Sequence, residues 1–164
     1  MNKASRLETS TMKTEVKADP KAFVTLRFAG DDLDPGEITR VLAIAPTRAH
    51  RKDEFYFAGK RAGLLRGRTG IWFLATDELV PSDDLQEHLA FVEGLLYPQS
   101  GDDRRITKLR ALLECTNSRA HVTCFWRGDS GEPAPEISDG FKSATASLSA
   151  DIETDFANKN SRVG

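Results

Sequence analysis

Residues 22–29 alternate without a break. Phe23, Thr25, Arg27 and Ala29 fall on one side and Val24, Leu26 and Phe28 on the other, which is the two-residue period of a half-buried strand. The strand runs directly into Gly30-Asp31-Asp32-Leu33-Asp34-Pro35-Gly36-Glu37-Ile38. Asp34 stands where a helix N-cap is expected, Pro35 at the first helical position is already fixed at a helical φ, and Glu37 lies in the first turn. The spacing predicts a helix from Pro35 to about Ala43 with Ile38, Val41 and Leu42 inward. A chain that opens this way must lay a helix back across a sheet, so purely helical and purely β architectures are excluded.

The rest of the pattern extends that theme. A second strand is predicted at about Arg68 to Thr76, carrying Ile71, Trp72, Phe73 and Leu74. A helix beginning near Ser82 or Asp83 stripes Leu85, Leu89, Val92 and Leu96 and is closed by Pro98, and a further helix, about Asp103 to Glu114, uses Ile106, Leu109, Leu112 and Leu113. His121 to Trp126 reads as a strand with Val122, Cys124 and Trp126 on one side, and Pro133 and Pro135 mark a turn. A helix from about Glu136 to Ser149 presents Ile137, Phe141, Ala144 and Leu148, and a closing strand, Asp151 to Phe156, alternates Ile152, Thr154 and Phe156 against Asp151, Glu153 and Asp155. Two βαβ units separated by two helices predict an α+β, ferredoxin-like arrangement. Its sheet is mainly antiparallel and four-stranded, helices cover one face, and Thr123, Asp151, Glu153 and Asp155 make the other face polar. From Pro46 to about Leu64 no period is visible, which predicts an irregular connection longer than compact domains ordinarily carry.

Three segments, Gly30-Asp31-Asp32-Leu33-Asp34-Pro35, Pro46-Thr47-Arg48 and Thr69-Gly70-Ile71-Trp72, together resemble the pattern of a bacterial family, the domain of unknown function DUF4279. In it a strand runs into Gly-Asp-Asp-Leu-Asp-Pro, then a helix, a Pro-Thr-Arg turn and a Thr-Gly-x-Trp strand. The resemblance covers about Ala22 to Phe156 and implies no particular activity.

A chain of 164 residues, 39% hydrophobic and 29% charged, is of a size to bury one core without disulfides or metals. We expect a polar, disordered leader at 1–19, a single domain at 20–158 and a flexible tail at 159–164. A net charge of -2 argues against a whole-surface attraction to nucleic acid or anionic lipid, so any basic site is local. No apolar run resembles a signal peptide or membrane span, and we expect a cytoplasmic protein. Both cysteines, Cys115 and Cys124, are expected to be reduced and structural.

Asp31, Asp32, Asp34 and Glu37 form a carboxylate cluster that capping explains without a metal. Asp83 and Asp84 likewise suit a helix N-terminus. His88 lies on an apolar stripe, where a packing histidine with locally satisfied nitrogens is expected. No spacing supports a catalytic triad or a phosphate loop, so we expect neither an enzyme nor a cofactor. The long connection stands apart. Arg48, His50, Arg51 and Lys52, then Lys60, Arg61, Arg66 and Arg68, surround Phe55, Tyr56 and Phe57. Such a cluster suits an acidic protein partner, and we expect a non-enzymatic accessory or immunity-type module that binds through Arg48, His50, Arg51, Lys52, Arg66 and Arg68. The alternatives are nucleic acid or another anion at the same loop, and a metal-dependent hydrolase built on Asp31, Asp32 and His50. The loop cations could also simply pair with the carboxylates of residues 31–37.

Overall fold

A computed structural model of the chain describes residues 18–98 and 104–159. The leader expected at 1–19 and the tail expected at 159–164 fall outside the described residues, apart from Ala18, Asp19 and Lys159. Lys159 is held: its Nζ donates to Asp129 Oδ1 at 2.6 Å.

The first strand, β1, is Ala22–Gly30, and it sends Val24, Leu26 and Phe28 fully into the core. Helix α1, Pro35–Leu42, begins at the predicted cap, with Asp34 accepting from the Gly36 N–H at 3.0 Å. It ends one residue earlier than expected because Ala43 takes the left-handed conformation, φ 54°, before Pro46 is reached. The long connection beyond α1 is not irregular. β2, Arg48–His50, joins the main sheet, and β3, Phe55–Phe57, pairs with β4, Leu64–Arg66, as a separate two-stranded hairpin. β5, Gly70–Ala75, leads through a 3₁₀ turn at Thr76–Glu78 to α2, Leu85–Leu96, capped by Asp84. α3, Arg104–Cys115, precedes β6, Arg119–Gly128. α4, Asp139–Ala146, is shorter than predicted because Ser138, not Glu136, provides the cap, accepting from the Phe141 N–H at 3.3 Å. β7, Asp151–Asn158, is the last element among the described residues.

The sheet has five strands in the order β2-β5-β1-β6-β7, which corrects the expected four-stranded ferredoxin-like arrangement. β1 is antiparallel to both of its neighbours, β5 is antiparallel to β2, and only β6 and β7 are parallel. The first βαβ unit therefore closes on β2, with β5 inserted between its two strands. The second, β6-α4-β7, places its strands side by side. One face is covered: α1 lies against β5 and α2 against β1 and β6, with α3 on α1 and α4 on α2. Trp72 sits at the centre of that layer, fully buried, its ring 5.6 Å from Phe28 and its Nε1–H donating to Thr39 Oγ1 at 3.0 Å.

The uncovered face is mixed rather than polar. Phe23 and Phe125 stack there with centroids 4.3 Å apart, and Ile71 and Phe73 are half-buried. His88 is completely enclosed, and its neighbours fix its tautomer. The Ser82 carbonyl only accepts, so Nε2–H donates to it at 2.9 Å, and Nδ1 then accepts from Thr76 Oγ1 at 2.6 Å. The Thr76 hydroxyl in turn accepts from the Val24 N–H at 2.9 Å, tying α2 to β1.

Candidate binding surface

Arg48 and His50 lie opposite Phe73 and Ile71 in the β2-β5 register, which puts both on the uncovered face. The chain then leaves the sheet through a turn. Glu54 Oε2 accepts from the Arg51 N–H at 2.7 Å, Asp53 is left-handed at φ 67°, and the base of the hairpin is clamped by the Asp53 N–H donating to the Gly67 carbonyl and the Gly67 N–H donating to the Glu54 carbonyl, both at 2.8 Å. At the tip, Gly59 and Gly63 supply positive φ, a conformation open to glycine at little cost. The hairpin folds back so that Tyr56 lies flat on His50, centroids 4.2 Å apart and planes within 6°. This stack leaves His50 only 4% exposed. Gly67 permits the close approach, since a Cβ there would fall 2.6 Å from His50 Nδ1.

Each predicted cation meets a different fate. The Arg48 guanidinium lies 5.5 Å from the Phe73 ring centre and 6.0 Å from that of Tyr56. Arg51 forks onto the cap residue, its Nη2 donating to Asp34 Oδ2 at 2.7 Å and its Nε to Oδ1 at 3.3 Å. Lys52 donates to Asp31 Oδ2 at 2.6 Å. The Lys52 ammonium therefore holds the Asp31 carboxyl below the usual carboxylate range, and Arg51 does the same for Asp34. Arg66 pairs with Asp53 at 3.0 Å. Among the described residues, Lys60, Arg61 and Arg68 are exposed and make no ion pair. The acidic segment thus attracts the two cations nearest the end of β2, Asp53 takes Arg66, and Lys60, Arg61 and Arg68 are left to solvent.

Charge is only half of the surface. In the β3-β4 register Phe55 faces Arg66 and Phe57 faces Leu64, so these four share one side of the hairpin while Tyr56 and Leu65 share the other. Tyr56 points inward to His50. Phe55, Phe57 and Leu64 point away from the body and are 63%, 67% and 65% exposed. Leu65 is 41% exposed on the inner side. Leu64 and Leu65 were not singled out from sequence. The available signal was the pair of short apolar runs bracketing Gly59 and Gly63, which marks a hairpin.

The other candidate clusters are accounted for locally. Asp84 caps α2 through the Gln86 N–H at 2.9 Å. Glu37 pairs with Arg40 on α1. His50 stacks on Tyr56, and among the described residues no three His, Cys, Asp or Glu side chains converge as metal ligands. Both cysteines are free thiols: Cys124 is buried, and burial pushes its thiol up to about 11, whereas Cys115 is exposed at the end of α3. The end of a helix carries the cysteine past the stripe formed by Ile106, Leu109 and Leu113. Among the described residues no helix is long and apolar enough to cross a membrane.

A family model described as a domain of unknown function (DUF4279) matches residues 20–159. No curated protein and no solved structure matches the chain.

Proposed function

The chain belongs to the DUF4279 family, and from that premise we propose that it is a non-enzymatic, cytoplasmic protein-binding module whose β3-β4 hairpin docks on an acidic partner. One observation carries the reading: three large apolar side chains, Phe55, Phe57 and Leu64, stand side by side in solvent on a projecting element. Contiguous exposed apolar surface with a polar rim is characteristic of protein interfaces, and aromatic side chains are enriched at their centres. Lys60, Arg61, Arg66 and Arg68 supply the rim. Their shared sign disfavours packing of this patch against a second copy of itself and favours a carboxylate-bearing surface. Arg51 and Lys52 act in this reading as anchors that hold the hairpin base to residues 31–34, and the stack of Tyr56 on His50 sets the hairpin's angle. Nucleic acid remains the alternative for the same cations. It leaves the apolar side of the hairpin without a purpose, since bases stack on aromatic rings but gain little from Leu64.

The test uses the full chain, immobilised, with lysate of its native host. The wild type is expected to retain an acidic protein that is lost both with Phe57→Ser/Leu64→Ser and with Lys60→Glu/Arg61→Glu, and retained with Arg110→Glu on α3. All these positions are exposed, so circular dichroism should report an unchanged fold. With the purified partner, added salt should lower the association rate. Equal retention by all variants would overturn the proposal, and capture of RNA or DNA in place of protein would favour the alternative.

A further inference from the structure

A second, independent arrangement lies on the uncovered face, on the far side of β1 from the hairpin. A cleft of about 270 Å³ is lined by Arg27, Ala29, Arg119, Ala120, His121 and Asp151. In the β1-β6 register Arg27 faces His121 and Ala29 faces Arg119, so the two arginines are diagonal neighbours on adjacent strands. Diagonal side chains of this length reach one another, and like charges so placed repel. On β7, Asp151 stands opposite His121.

The charges in this cleft differ from those beside it. Farther along β6 and β7 Arg127 pairs with Asp155 at 3.2 Å, and within the cleft itself His121 Nε2 donates to Glu153 Oε2 at 3.2 Å. Arg27, Arg119 and Asp151 make no ion pair among the described residues, although all three open onto one small space. Two guanidiniums lack a carboxylate, and one carboxylate lacks a cation. A ligand carrying one carboxylate and one ammonium would give all three a partner of opposite sign, its carboxylate shared by the two guanidiniums. A guanidinium fork matches a carboxylate in two parallel hydrogen bonds, and an ammonium beside that carboxylate would meet Asp151. Asp151 at the same time disfavours a dianion such as phosphate, which would bring a second negative charge to it. The volume lies at or just below the lower end of the roughly 300–1,000 Å³ typical of ligand pockets, so the ligand is small. We propose that this cleft binds a free α-amino acid, its carboxylate on Arg27 and Arg119 and its ammonium on Asp151.

The experiment is a titration of the full ¹⁵N-labelled chain, followed at the amides of residues 27, 29, 119, 121 and 151. The probes are L-alanine, acetate and inorganic phosphate. L-alanine should give saturable shifts at these amides, with acetate at least about tenfold weaker because it lacks the ammonium. Arg27→Gln or Arg119→Gln should weaken L-alanine by about tenfold or more. Asp151→Asn should bring L-alanine to the level of acetate while leaving acetate no weaker. Phe57→Ser, on the hairpin, should leave the titration unchanged, which separates this site from the docking surface. Absence of saturable shifts with L-alanine up to about 50 mM, acetate binding as tightly as L-alanine, or phosphate binding more tightly than either would overturn the assignment.

Discussion

Asp34 uses both oxygens of one carboxylate to join two segments. Oδ1 caps α1 through the Gly36 N–H, and Oδ2 receives Arg51 from the end of β2. Asp34→Ala should therefore cost about 1 kcal/mol for the cap plus up to about 1 kcal/mol for the exposed ion pair. Asp34→Asn should keep most of the first contribution and lose the second. Urea unfolding of the two variants checks this, and equal losses would mean that capping contributes little. Cys115 and Cys124 make the second test at this scale. Only Cys115 is exposed, and the Cys124 thiol is both enclosed and held protonated by burial. A thiol reagent at pH 8 should modify Cys115 rapidly in the native protein and Cys124 only after unfolding. Equal rates would place Cys124 outside the core.

Elements were legible in proportion to how much of their pattern is apolar. β1, α2 and β6 each bury the side that their periodicity marks, including Val24, Leu89 and Val122. β2 could not be found in this way, because Arg48-Ala49-His50 is an edge strand of three residues without an aliphatic side chain larger than alanine, and its pairing with β5 is made by backbone groups. It is nevertheless the strand on which the first βαβ unit closes. The end of α1 shows a related limit, since nothing local marks Ala43 as left-handed. An L-residue in that conformation is strained by about 1 kcal/mol, and glycine is not. Ala43→Gly should stabilise the protein by about 0.5–1 kcal/mol, offset in part by the greater freedom of the unfolded chain. A thermal midpoint below that of wild type would count against the strain.

At the scale of the whole molecule, surface ion pairs give stability a dependence on pH with a definite sign. Asp31, Asp34 and Asp129 are lowered from an ordinary value of 3.8 by Lys52, Arg51 and Lys159 respectively. A depressed carboxyl contributes stability that is present above its unfolded pKa and is lost as pH falls through the folded one. The acid loss should therefore fall at and below pH 3.8, and Arg51→Gln/Lys52→Gln should reduce it. On the alkaline side Cys124 is raised from 9.0 to about 11, so its contribution is complete below pH 9 and disappears as pH rises to about 11. Cys124→Val should flatten that limb. Unfolding midpoints measured from about pH 2 to 11 test both limbs, and a variant curve parallel to wild type at either end would refute the assignment there.

What the chain determined by itself was local. The cap at Asp34, the helical stripe through Leu85, Leu89, Val92 and Leu96, and the inward sides of β1 and β6 arise from interactions within a few residues, and the motif that marks the family is written in the same short segments. The presence of cations beside aromatics between Arg48 and Arg68 was equally plain. Which of those cations remain available was decided by the tertiary structure. Arg51 reaches Asp34 and Lys52 reaches Asp31 only because α1 returns the chain to the β1 turn, while the hairpin carries Lys60 and Arg61 beyond reach of those carboxylates. The cleft on the other side of β1 depends on three strands coming into register, so no single segment announces it. Coulombic and packing partners are chosen by distance in space, and a linear pattern encodes that distance only where neighbours in the chain are also neighbours in the fold.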